Sequence, residues 1–146
     1  MAVRDWIRPA VAAALRDVDT GGMTHGLLHT DPSPDAFRLD RATGVVGLID
    51  WSVAMHGPLV YDLASAVMYV GGPEHRGPLV EAYLETGALT TAEVDRALWP
   101  MLRYRACIQA MYFAWRTYHD DLTGIADARG NEEGLDHARA TLAAWA

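Results

Sequence analysis

The sequence predicts a mainly helical α+β domain, with one leading helix, a small β-hairpin unit and then four or five helices. Three observations carry this. Apolar residues recur at helical spacing over most of the chain. Between Gly26 and Asp50 that period gives way to short runs of β-forming residues. With 51% apolar and 21% charged side chains, residues 1–146 suit one globular domain, able to bury roughly two thirds of the surface its unfolded chain exposes.

The first helix rests on Trp6, Ile7, Ala10, Val11, Ala14, Leu15 and Val18, which share one face. Pro9 lies early enough to be tolerated, and Gly21-Gly22 ends the helix. Leu27-Leu28-His29, Phe37-Arg38-Leu39 and Val45-Val46-Gly47-Leu48-Ile49 then read as strands. Asp40-Arg41-Ala42-Thr43-Gly44 has the length and closing glycine of a hairpin loop. Pro32 and Pro34 force the segment after Asp31 into an irregular loop.

Past Gly57-Pro58 the chain reads as helical to its end. Val60, Leu63, Ala64, Val67, Met68 and Val70 make one apolar face; Leu79, Val80, Tyr83 and Leu84 make a second, closed by Gly87. Thr90-Thr91-Ala92-Glu93 is a capping box that starts a third helix. Pro100 is expected to split or kink that helix, whose spacing continues through Met101, Leu102, Arg105, Ile108, Tyr112 and Trp115. A last helix runs from about Glu132 to Trp145. Gly124 to Gly134 reads as a mobile loop before it. There is no internal repeat.

Charge narrows the function. Twelve basic against nineteen acidic residues leave a net charge of −7, which argues against nucleic acid and anionic membranes as partners and suits a cationic ligand. All twelve basic residues are arginine. Without a lysine, neither Schiff-base chemistry nor a phosphate-gripping lysine is available within these residues. Asn131 is the only asparagine and Gln109 the only glutamine. The single cysteine, Cys107, excludes a disulfide or Cys-based zinc site within one chain and reads as a buried, inert thiol. Arg4, Asp5, Arg8, Arg16 and Asp17 interrupt any signal-peptide core, and no run approaches the roughly 18 apolar residues of a membrane span. A cytoplasmic protein is expected.

The informative residues lie between His29 and Asp62. The chain reads H-T-D-P-S-P-D-A-F from His29 to Phe37, G-L-I-D-W from Gly47 to Trp51, and G-P-L-V-Y-D-L-A from Gly57 to Ala64. A hairpin returns the chain to its origin, so Asp31 before it and Asp50 after it can meet in one pocket. Two carboxylates there can divide phosphoryl transfer, one orienting the hydroxyl nucleophile and taking its proton, the other holding magnesium on nucleotide phosphates.

These segments resemble the carboxy-terminal lobe of the aminoglycoside phosphotransferase and choline kinase family, distant relatives of protein kinases. That family carries H-G-D-x-x-x-x-N, a short hairpin, [IV]-D-W, and D-L-A opening a helix after a Gly-Pro turn. The resemblance implies a kinase-like C-terminal lobe that phosphorylates a hydroxyl on a small alcohol or amine-bearing acceptor, with ATP or GTP and Mg2+. By the same resemblance Asp31 is the catalytic base and His29 braces its loop. Asp50 is the magnesium ligand, and Asp62 is the buried carboxylate that hydrogen-bonds the catalytic loop, with Trp51 supporting it.

Two departures stand out. Ala36 occupies the place of the family's second metal ligand, and Thr30 that of its glycine. Asp35 is the candidate substitute ligand; Asn131, about a hundred residues on in the predicted loop, is not. The glycine-rich loop, strand lysine and paired glutamate of the family's amino-terminal lobe have no place in these residues. The expectation is therefore an enzyme incomplete or inactive alone. The alternatives are a pseudo-enzyme module for a ligand or partner, or one half of a split kinase whose amino-terminal lobe is a separate partner. In the pseudo-enzyme case an apolar floor around Leu39, Leu48 and Ile49 would be covered by a homodimer or another chain.

Plainer readings stand beside these. Asp31 can be a turn residue, His29 a structural histidine and Asp62 a first-turn acid on the helix dipole. His25 and His29 are spaced i, i+4, but in an extended segment that separates them by about 13 Å, so zinc is not expected. Trp99, Tyr104, Tyr112, Phe113, Trp115 and Tyr118 are first expected to pack in the core. The sharper reading makes Trp115 and Tyr118 part of a wall for a cationic acceptor, with Asp120, Asp121 and Glu132-Glu133 at its mouth.

Overall fold

A computed structural model of the chain describes residues 5–145. In chain order the elements are α1 (Ile7–Asp17), β1 (His25–Leu28), β2 (Phe37–Leu39), β3 (Val46–Leu48), β4 (Met55–Pro58), α2 (Val60–Tyr69), α3 (Gly77–Glu85), α4 (Thr91–Tyr118) and α5 (Arg129–Ala144). The chain is mainly helical with small antiparallel sheets, as the sequence predicts. It divides into two compact units, one of Thr20–Leu102, the other of Met1–Asp19 with Arg103–Ala146.

In the first unit β2 and β3 form the expected hairpin, with Phe37 opposite Leu48 and Leu39 opposite Val46. The Asp40 carboxylate accepts the Ala42 N–H at 2.9 Å and the Thr43 hydroxyl at 2.7 Å, and Gly44 takes the left-handed conformation that closes the loop. A second antiparallel pair, β1 with β4, encloses this hairpin in sequence. Strand β4 is not foreseen, because Met-His-Gly-Pro lacks β-forming residues and alternation. Its pairing depends on two glycines: a Cβ on Gly57 would lie 2.8 Å from the Leu28 side chain, and one on Gly26 would lie 2.8 Å from that of Leu59. Pro58 is tolerated at the strand's end.

Helix α2 buries Val60, Leu63, Ala64 and Val67, each large side chain contributing about 1.5–3 kcal/mol. The capping box at α4 forms at the expected residues, with Thr90 Oγ1 accepting the Glu93 N–H at 3.2 Å and Glu93 Oε2 accepting the Thr90 N–H at 3.0 Å. Pro100 does not split α4, which runs on through it. An internal proline costs about 3 kcal/mol, and the burial of Leu98, Met101 and Leu102 on either side of it offsets that.

The second unit holds α1, the rest of α4 and α5. Its core gathers Ala110, Leu135 and Ala138, with Trp6, Ile7, Phe113, Ala114 and Leu142 against them. Cys107 is buried, and desolvation pushes its thiol above the ordinary value. Gly124 to Gly134 is not one loop, since its second half is the opening of α5. Asn131 is therefore a buried helical residue; its amide donates to the Asp121 carbonyl at 2.8 Å. The two glycines of Arg-Gly-Asn-Glu-Glu-Gly hide this start from a propensity reading. Among the described residues no helix is long and apolar enough to cross a membrane.

Candidate active site

The site lies in the unit Thr20–Leu102 and is organised by one face of α2. Strand β1 ends at Leu28, and the next two backbone N–H groups have no ladder partner. Asp62, in the first turn of α2, accepts both: His29 N–H at 2.6 Å and Thr30 N–H at 2.8 Å. A carboxylate is also favoured there by the helix dipole, so the plain and the sharp readings of Asp62 describe the same group. Ser65, one turn on and fully buried, donates its hydroxyl to the Thr30 carbonyl at 3.1 Å. Tyr69, a further turn on, donates its hydroxyl to Asp31 Oδ1. Asp62, Ser65 and Tyr69 are spaced i, i+3, i+7, so one helix face meets residues 29, 30 and 31 in turn.

His29 is 2% exposed. Its Nε2–H donates to the Ile49 carbonyl at 2.7 Å, and its ring stands edge-on to Trp51 at 4.9 Å. The residue two before Asp31 is thereby fastened to the residue before Asp50. Trp51 is itself fixed by its indole N–H on the Leu48 carbonyl at 2.9 Å. Thr30 has φ +71°, a left-handed backbone that costs an ordinary residue roughly 1–2 kcal/mol. Its hydroxyl donates to the Val53 carbonyl at 3.1 Å, which offsets part of that.

Asp31 and Asp50 are both exposed. Asp50 is also left-handed, at φ +65°, and its Oδ1 accepts the Ser52 hydroxyl at 2.8 Å. Ala36 is buried, with its carbonyl taken by the Ile49 N–H at 2.9 Å. The side chain at that place is a methyl, with no metal-ligating atom. Asp35 is exposed and engaged locally: the Ser33 hydroxyl, first, and its own backbone hold the carboxyl below the usual range. Among the described residues no three His, Cys, Asp or Glu side chains converge as a metal cluster. Magnesium on a nucleotide needs only one or two carboxylates, with phosphate oxygens and water completing the shell. The exposed Asp50 carboxylate fits that demand.

The residues proposed for an acceptor lie in the other unit. Trp115 and Tyr118 are 56% and 73% exposed, and each contacts the His119 ring, at 4.6 Å and 4.9 Å. Asp120 is exposed with φ +51°. Asp121 accepts the Thr123 N–H, which with the Thr123 hydroxyl and nearby Arg116 lowers its pKa. Core packing is the wrong expectation for much of the aromatic set: Trp99, Tyr112, Trp115 and Tyr118 are all exposed, while Phe113 and Tyr104 are half-buried. Helical spacing located their helix but not which of its sides is covered. His25 lies in extended β1 and bonds the Met23 carbonyl through Nδ1 at 2.8 Å.

Ser65 and Tyr69 are the site residues that motif reading passes over. The helical spacing from Asp62 is the signal that finds them.

Comparison with known proteins bears on this geometry. The model of the phosphotransferase enzyme family matches residues 2–100. No curated protein matches. Among solved structures, a choline/ethanolamine kinase family protein from Mesorhizobium loti superimposes with a TM-score of 0.63 at 18% identity. The match covers 94% of this chain and 43% of that one, so this chain spans less than half the length of the protein it resembles in fold.

Proposed function

The chain belongs to the phosphotransferase enzyme family, and we propose that it carries the catalytic-loop lobe of a kinase-like enzyme that phosphorylates a hydroxyl on a small alcohol or amine-bearing molecule. Asp31 is the general base: exposed, on a loop held rigid from behind, it orients the acceptor hydroxyl and takes its proton. Asp62, Ser65 and the His29 ring set that loop, and act on the acceptor only through Asp31. Asp50, tied to the same loop through Ile49 and His29, would hold magnesium; when bound, that ion neutralises charge on the phosphates of ATP or GTP. The observation that carries the reading is the Asp62 carboxylate on the His29 and Thr30 N–H groups together with the His29 bond to Ile49. It joins the two candidate aspartates to one frame.

These 146 residues contain no lysine, and Ala36 supplies no second metal ligand. A further lobe, in the same or a separate chain, would cover the nucleotide phosphates and exclude water. The amine on the acceptor draws on the acidic balance of the chain. A cytoplasmic setting, where nucleoside triphosphates are supplied, accompanies this reading.

Calorimetric titration with Mg-ATP, Mg-GTP and a panel of amines tests it. Magnesium-dependent nucleotide binding that falls at least tenfold in Asp50→Asn is expected. Sustained, Asp31-dependent ATP turnover by these residues alone would overturn the need for a further lobe.

A second reading is favoured by the hairpin. Phe37, Leu39 and Val46, cross-strand on one face, are 45%, 60% and 59% exposed. A pseudo-enzyme covering this face by homodimerisation or with a partner chain would bind no nucleotide and run as a dimer or heteromer in light scattering.

A further inference from the structure

Tyr69 is the last residue of α2, and its hydroxyl donates to Asp31 Oδ1. If Asp31 is the general base, its carboxylate is where an acceptor's hydroxyl must donate before its proton is taken. The chain thus already presents a hydroxyl in the acceptor's place. It is a competent one: a phenol, with a pKa of about 10 in water, gives up its proton more readily than an alkyl alcohol.

Position supports this. The ring is rooted on the helix whose Asp62 and Ser65 hold residues 29 and 30, so the Tyr69–Asp31 contact belongs to the same register. Tyr69 is 39% exposed, and the helix stops there, followed by Gly71 and Gly72 at φ +102° and +97°.

We propose that Tyr69 is an internal phosphoryl acceptor, so that the chain phosphorylates itself at this residue; the inference rests on the reading of Asp31 as base. In the step, the bond from the terminal phosphorus of a magnesium-bound nucleoside triphosphate to its bridging oxygen breaks, and a bond from that phosphorus to Tyr69 Oη forms. The hydroxyl proton passes to Asp31, and the nucleoside diphosphate leaves. The product sets a phosphate of about −1.5 to −2 charge beside Asp31. That group no longer has a hydroxyl to offer and obstructs other acceptors, so one transfer per chain is expected.

The 146-residue chain, with Tyr69→Phe and Asp31→Asn, is incubated with magnesium and terminally labelled ATP at millimolar concentration. Intact-mass and peptide mapping follow the phosphate, and calorimetry follows nucleotide binding. Expected are one phosphate per wild-type chain on Tyr69, none there in Tyr69→Phe, and at least tenfold slower labelling in Asp31→Asn with nucleotide binding retained. Bound nucleotide with no phosphate on Tyr69 overturns the inference and leaves the reading of Asp31 as base standing. Absence of nucleotide binding overturns the phosphotransferase reading and the inference with it. Independently of transfer, the Asp31 carboxyl carbon resonance should move in Tyr69→Phe; an unmoved resonance removes the contact on which the inference stands.

Discussion

The Asp62 carboxylate accepts the backbone N–H of His29 at 2.6 Å, across 33 residues of sequence, and that of Thr30 at 2.8 Å. Hydrogen bonds to an ionised acceptor contribute about 1.5–3 kcal/mol each. In Asp62→Asn one oxygen is replaced by an NH2 group that faces an N–H, and the charge on the other is lost. Unfolding stability should fall by about 3 kcal/mol, measured as the urea midpoint by tryptophan fluorescence. A fall under about 0.5 kcal/mol, the scale of an ordinary surface substitution, would mean that other contacts hold the loop.

Thr30 separates backbone strain from a side-chain bond. Its left-handed φ of +71° disfavours a β-branched residue, and its hydroxyl donates to the Val53 carbonyl at 3.1 Å. Thr30→Ala removes the bond and keeps most of the strain, so it should destabilise by about 1 kcal/mol. Thr30→Gly removes both and should be more stable than Thr30→Ala by about 1 kcal/mol, despite the greater freedom of glycine in the unfolded chain. The order Gly above Ala in thermal midpoint is the test; the reverse order would show that no strain is stored there.

Gly134 sets helix propensity against packing. Alanine in a helix interior is favoured over glycine by about 1 kcal/mol. A Cβ at 134 would nevertheless lie 2.5 Å from two atoms of the Phe113 ring, and overpacking of that kind costs about 1–3 kcal/mol. The clash should win, so Gly134→Ala lowers stability. In the Phe113→Leu background the same change should cost less, which a double-mutant cycle reads directly.

Where the local signal was strong, the sequence was legible. The hairpin loop from Asp40 to Gly44, the Thr90–Glu93 capping box and the helices α1, α2 and α3 form where spacing and turn chemistry put them. Strand β4 escaped because its pairing comes from close approach of Gly26 and Gly57 to their neighbours, a tertiary matter that a Met-His-Gly-Pro string does not announce. The start of α5 is masked by two glycines, of which Gly134 makes room for the Phe113 ring. At the site, the aspartates stood out by motif, whereas Ser65 and Tyr69 emerge only when Asp62 is extended along its own helix face. Exposure of Trp115 and Tyr118 could not be read at all, since helical spacing is blind to which faces find a neighbour.

The pH dependence of stability should report on Glu93. Its carboxylate accepts the Thr24 N–H at 2.6 Å and, at 3.0 Å each, the Thr90 N–H and hydroxyl. An interaction with the Thr24 side chain foremost, and then these bonds, bring its pKa from 4.5 down to about 2. A group with a lower pKa folded than unfolded stabilises fully above its unfolded value and loses that contribution as pH falls. The window here runs from about pH 4.5 to about pH 2. Glu93→Gln should therefore be less stable than wild type at neutral pH, with the difference in urea midpoint constant down to about pH 4.5 and closing toward about pH 2. A gap that stays constant across that window would place the loss in the shape of the cap rather than in its charge.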